Sequence, residues 1–129
     1  MPLWRFKVLL VEDEPIIREL VNSVLANTTV HIDYATTGTD GLKLAKTNKY
    51  DLFLVDIVLP QLDGIALCRL LKADPSTKEI PLYMVTAKTK QTDVDSAVRA
   101  GADGYIQKPF RANELLDLIE QLRLRKFAV

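Results

Sequence analysis

Three short stretches of this chain, V-L-L-V at 8–11, L-F-L-V at 52–55 and L-Y-M-V at 82–85, are apolar without a break. A strand with one face in water alternates apolar and polar residues. An unbroken run fits a strand covered on both faces, as in a parallel sheet between two layers of helices. Between these runs lie segments of helical periodicity. Ile16, Ile17, Leu20, Val21, Val24 and Leu25 recur at helical spacing behind Pro15, a residue suited to a first helical turn. The full alternation predicts strands at Phe6–Val11, 31–35, 51–55, 80–86 and Gly104–Gln107. Helices are predicted from about Glu14, then over 40–47, 63–73, Gln91–Ala100 and 112–125, with a turn at 74–77 and Gly101 closing the fourth helix. Leu115, Leu118, Ile119 and Leu122 face inward on the last helix. Strand–helix alternation of this kind implies a doubly wound α/β fold filling 129 residues as one domain (1–129, core about 6–125).

Composition narrows the class further. Seventeen basic residues balance 17 acidic ones, so no net field draws the chain to nucleic acid or anionic lipid. One cysteine, Cys68, fits a reducing compartment and a packing role. One histidine, His31, beside a short strand, reads as structural. A Cys/His metal site is therefore not expected. No apolar run approaches a membrane span and M-P-L-W-R-F-K has no signal-peptide core, so a soluble, cytoplasmic protein is expected.

In a doubly wound sheet the carboxyl ends of the strands share one rim, where sites form. The residues just past the strands are Glu12 and Asp13, then Asp56, Thr86 and Lys108. Taken singly, each is ordinary. Glu12 and Asp13 suit a helix start, Thr86 a strand end, Lys108 a solvated loop charge, and Asp63-Gly64 a turn. Three carboxylates, a hydroxyl and an ammonium on one rim are harder to account for that way. Clustered carboxylates repel and recruit a cation, and an all-oxygen set favours a hard divalent ion such as Mg²⁺. Magnesium with a carboxylate nucleophile, a lysine and a hydroxyl suits phosphoryl transfer. Asp56, ending the most hydrophobic strand, is the best-placed nucleophile.

The pieces V-L-L-V-E-D-E (8–14), D-I-V-L-P-Q-L-D-G (56–64), I-P-L-Y-M-V-T-A (80–87) and G-A-D-G-Y-I-Q-K-P-F (101–110) carry a resemblance. Over nearly its whole length the chain resembles the receiver domain of bacterial two-component response regulators, in particular the single-domain, chemotaxis-regulator-like kind. The resemblance implies a flavodoxin-like sheet of order 2-1-3-4-5 with five helices. It implies that Asp56 accepts a phosphoryl group from the phosphohistidine of a sensor histidine kinase or phosphotransfer protein. It also implies Mg²⁺ on Asp13 directly, on Glu12 through water, on Asp56 and on the Val58 backbone carbonyl. Lys108 would pair with the phosphoryl oxygens, Thr86 would bond them, and Tyr105 would turn inward with Thr86. A cis peptide is implied at Lys108-Pro109. The output would be a partner protein on the helix 4/strand 5/helix 5 face, with a homodimer as an alternative.

Departures from the family's commonest pattern carry expectations too. Leu59 replaces a usual methionine, a volume-conserving swap. Val58 and Lys88 border the path of a hydrolytic water, where Ala87 is small. Gly104 replaces a usual acid and Val94 a common arginine, which points away from winged-helix transcription factors. A free-standing receiver is therefore expected, the alternatives being a fragment of a longer regulator or a binding module that ignores phosphorylation. A metal-dependent phosphohydrolase would need a second Asp where Val58 stands. Leu116, Leu124, Phe127 and Trp4 are surplus apolar surface, for a partner or for edge packing.

Overall fold

The computed structural model describes residues 6–87 and 91–126; Trp4, Lys88 and Phe127 lie outside them. The elements run β1 (Phe6–Val11), α1 (Pro15–Leu25), β2 (Val30–Ala35), α2 (Gly38–Thr47), β3 (Leu52–Val55), α3 (Gly64–Ala73), β4 (Leu82–Thr86), α4 (Gln91–Ala100), β5 (Gly104–Gln107) and α5 (Ala112–Lys126). All strands pair in parallel, in the order β2-β1-β3-β4-β5.

Alternate side chains of a strand face opposite sides of its sheet, so a continuous apolar run feeds two cores at once. In β1, Val8 and Leu10 pack with Val21 and Leu25 of α1 and Leu115, Ile119 and Leu122 of α5. Leu9 and Val11 face the other way, toward Ala45 of α2, Leu67 and Leu71 of α3, and Ala97 and Ala100 of α4. The four residues of β3 split likewise, Leu52 and Leu54 to one side, Phe53 and Val55 to the other, and none is more than 1% exposed. Burying each such side chain stabilises the fold by roughly 1.5–3 kcal/mol.

Local chemistry moves several boundaries by a residue or two. α2 begins at Gly38 rather than 40, because Thr37 caps it; its Oγ1 accepts the Asp40 N–H at 3.0 Å. β3 begins after Asp51, whose carboxylate instead accepts the Lys7 N–H at 2.8 Å. β4 begins at Leu82, since Pro81 has no N–H to give the ladder, while its carbonyl accepts from Phe53 at 2.9 Å. Gly101, at φ +102°, ends α4 in the left-handed conformation expected of it. On α1 the helical period overcounts the buried stripe: Val21 and Leu25 are buried, but Ile16 is 70% exposed and Leu20 lies at the surface. Leu118 is only partly buried, and Leu116 and Leu124 are exposed.

Cys68 and His31, read from the sequence as structural, each have a near polar neighbour. Cys68 is buried, its Sγ 3.7 Å from the Ala100 carbonyl oxygen, and burial pushes its thiol up to about 11. His31 lies on the exposed edge strand, its Nε2 3.0 Å from Asp33 Oδ1. Among the described residues no helix is long and apolar enough to cross a membrane.

Gly64 ties the fold to the rim. Asp63 caps α3 by accepting the Ala66 N–H at 2.9 Å, and the Gly64 N–H reaches back to the Ile57 carbonyl at 2.9 Å. A Cβ on Gly64 would lie 1.9 Å from the Asp56 carbonyl oxygen. Gly64→Ala should therefore destabilise the protein by about 1–3 kcal/mol or more, although it removes no apolar contact. Urea unfolding checks this; a variant within about 0.5 kcal/mol of wild type, the range of neutral surface changes, would contradict it.

Candidate functional site

The sheet's hydrogen-bond ladder continues one residue beyond its strands, and that extension builds the rim. The Glu12 N–H donates to the Ala35 carbonyl at 2.9 Å, the Asp56 N–H to the Val11 carbonyl at 3.0 Å, and the Lys108 N–H to the Thr86 carbonyl at 2.9 Å. The backbones of Glu12, Asp56 and Lys108 are thus each fixed on a neighbouring strand. The Lys108-Pro109 peptide bond is cis, as the resemblance implied.

Glu12, Asp56 and Thr86 are buried, while Asp13 is exposed at the mouth. Carboxylate oxygens of Glu12, Asp13 and Asp56 lie within 4.8 Å of one another. The Lys108 side chain, 8% exposed, brings its Nζ to 2.7 Å from Glu12 Oε1 and 3.1 Å from Asp56 Oδ2. It also lies 2.9 Å from Glu14 Oε1. Asp56 Oδ1 accepts the Val58 N–H at 3.2 Å, so both oxygens of this carboxylate have a donor. Val58 itself is half-exposed.

Charge balance follows from these distances. Burial pushes the Glu12 carboxyl up to about 7, the Asp56 charge adds to this, and the Lys108 ammonium opposes it. Burial alone would lower Lys108, but Glu12, Glu14 and Asp56 outweigh it and hold the ammonium well above its usual range. Glu12 Oε1 is buried and accepts no aligned hydrogen bond despite its closeness to Lys108. An oxygen of that kind, beside two further carboxylates, fits a hard cation: the donor set is all oxygen and open to water on the Asp13 side.

Thr86 and Tyr105 adjoin this centre on the α4 side. They line one small apolar cavity of about 30 Å³ with Ile57, Met84 and Val94. Tyr105 is 50% exposed, its strand position paired with Met84. All the rim residues singled out in the sequence thus lie at one end of the sheet. The sequence reading missed Glu14. Lys108 is 94 positions away from it, so no local spacing links them. The one available signal was position: Glu14 directly follows Glu12 and Asp13 and so enters the same rim.

Comparison with known proteins bears on this arrangement. A family model for the response regulator receiver domain matches residues 8–120. The transcriptional regulatory protein DltR of Streptococcus agalactiae is 39% identical over 120 residues, covering 93% of this chain and 52% of that protein. The DNA-binding response regulator MtrA of Mycolicibacterium smegmatis is 35% identical over 126 residues, covering 98% and 54%. The chain thus spans about half the length of these relatives. The receiver domain of a sensor histidine kinase from Pseudomonas aeruginosa, solved with a magnesium ion coordinated in its active site cleft, superposes with a TM-score of 0.84. It is 28% identical, and the match covers 92% of this chain and 97% of that one. Gly104 and Val94 had pointed away from transcription factors, yet both of these sequence relatives are regulators of that kind. The sheet order, the acidic rim and a family match over residues 8–120 converge, and the chain belongs to the response regulator receiver domains of two-component signalling.

Proposed function

We propose that this receiver accepts a phosphoryl group on Asp56 from the phosphohistidine of a sensor histidine kinase or phosphotransfer protein. The observation that carries the reading is a buried carboxylate with an ammonium 3.1 Å from one oxygen and two more carboxylates within 4.8 Å. A structural ion pair needs one partner, not a surplus of negative charge. Glu12, Asp13 and Asp56 would hold Mg²⁺, with the Val58 carbonyl as a further ligand on the family's pattern. When bound, the ion offsets charge on the transferring phosphoryl oxygens.

The chain's own groups do the rest. An Asp56 carboxylate oxygen attacks phosphorus, the phosphorus–nitrogen bond breaks, and the imidazole leaves with the bonding pair and takes a proton from solvent. Lys108 pairs with the phosphoryl oxygens, and the Thr86 hydroxyl bonds one of them. The new group brings a charge of about −1.5 to −2 and three strong acceptors. Tyr105 then turns toward the cavity it shares with Thr86. At about 30 Å³ that cavity holds roughly one water, so a phenol ring enters only as Thr86 vacates space or α4 shifts. The result is a population shift toward a partner-binding state.

The surface so altered is the α4–β5–α5 face, which exposes Val98 of α4 and Tyr105 of β5, with Leu118 and Gln121 of α5 beside Tyr105. A downstream protein, or a second copy of the chain, would dock there; direct nucleic-acid contact by this domain is not part of the reading. Kinship with DltR and MtrA, which are about twice as long, favours one specific output. In it, the domain serves as the receiver unit of a DNA-binding regulator. The free-standing domain is the other output.

Two outcomes follow. With acetyl phosphate and Mg²⁺, wild type should take up about one phosphoryl group per chain by intact mass, and Asp56→Asn essentially none. Equal uptake by Asp56→Asn would remove the phosphoacceptor from this position. The second outcome concerns pH. Glu12 binds its proton more tightly folded, at about 7, than at its ordinary value of 4.5. Its contribution to stability is therefore present below 4.5 and lost as pH rises through about 7, whereas Mg²⁺ needs it ionised. The rise in melting temperature at fixed Mg²⁺ should be larger at about pH 8 than at about pH 6, and Glu12→Gln should flatten the difference. A shift independent of pH in wild type would contradict Glu12 as part of the ion's site.

A further inference from the structure

The Lys108 ammonium donates to Glu14 Oε1 and Asp56 Oδ2 and lies 2.7 Å from Glu12 Oε1, so three carboxylates share one positive charge. The three differ in their ability to leave. Glu12 is wholly buried and its Oε2 accepts the Glu14 N–H at 3.2 Å. The Asp56 side chain is 6% exposed and is the reacting group itself. The Glu14 side chain is 54% exposed and can return to water at little cost.

Glu14 stands at the N-cap of α1, but its side chain makes no capping hydrogen bond. Its backbone N–H and its carboxylate both serve the rim, the first holding Glu12 and the second Lys108. Removing the carboxylate therefore takes no cap from the helix. It does free a donor on Lys108 and remove a negative charge from beside the place a phosphoryl group would occupy.

We propose that Glu14 is a positioning residue that competes with the phosphoryl group for Lys108. This rests on Asp56 being the phosphoacceptor. In the resting state Glu14 helps hold the ammonium over the acceptor. On phosphorylation the incoming oxygens, with their greater charge, take the Glu14 share of the ammonium, and the Glu14 carboxylate moves into solvent. Glu14 thereby sets how strongly the phosphorylated form is held, at a point separate from the acceptor and its metal ligands.

The test is titration with beryllofluoride, a tetrahedral phosphoryl mimic, in the presence of Mg²⁺, for wild type, Asp56→Asn, Glu14→Gln, Glu14→Ala and Glu14→Asp. Loss of one exposed competing ion pair should tighten binding about two- to fivefold in Glu14→Gln and Glu14→Ala. Glu14→Asp, which keeps the charge, should stay closer to wild type. The advantage should shrink at about 0.5 M salt, where exposed charges are screened, and a purely structural role would not produce that dependence. Unchanged or weaker binding in both charge-removing variants would overturn the role of Glu14 while leaving Asp56 untouched. Absence of any Asp56-dependent binding in wild type would overturn the phosphoacceptor reading, and this inference with it.

Discussion

One ammonium holds the rim of this domain together. Lys108 Nζ lies within 3.1 Å of carboxylates on Glu12, Glu14 and Asp56, so a single charge ties the end of β5 to the ends of β1 and β3. Burying Glu12 and Asp56 without it would leave two buried carboxylates side by side with no cation, at a cost of several kcal/mol each. With it the arrangement is tolerable yet still negative, and that residual charge is what makes the rim receptive to a cation. The same ammonium is the group best placed to meet a phosphoryl oxygen.

The sheet makes this possible by being rigid where it matters. The apolar run of β3 packs into both cores and delivers Asp56 one residue past its end, with its amide fixed on Val11. Gly64 lets the backbone of α3 pass within contact of the Asp56 carbonyl, and its N–H ties the start of α3 to the Ile57 carbonyl. By contrast, Tyr105 is half-exposed beside a small cavity, and Asp13 faces solvent. A firmly held carboxylate next to a half-exposed aromatic suits the switch proposed above.

The sequence carried the fold well because its strongest signal, unbroken apolar strands, is hard to satisfy except in a parallel sheet covered on both faces. It carried the rim residues because topology forces whatever follows each strand onto one edge. It did less well where a tertiary partner decides. Thr37 starts α2 two residues early through a cap, and Pro81 delays β4 by withholding an N–H. The α1 stripe was read too wide: helical spacing marks Ile16 as inward, but in the first turn of α1 it is 70% exposed. Glu14 escaped notice for the opposite reason, since its partner lies 94 residues away and no spacing rule connects them. The expectation about output class rested on two positions alone, Gly104 and Val94, whereas the sequence relatives are transcriptional and DNA-binding regulators. Two positions say less about kinship than identity spread over 120 residues.

The central claim is chemical and local: one carboxylate among the several on this rim becomes the acyl phosphate. It is tested most directly by locating the modification. The protein would be phosphorylated with acetyl phosphate and Mg²⁺, trapped by borohydride reduction of the acyl phosphate, and mapped by peptide mass spectrometry. The account predicts that Asp56 alone is converted to homoserine. Conversion at Glu12, Asp13 or Glu14 instead, or no acyl phosphate at all, would contradict it.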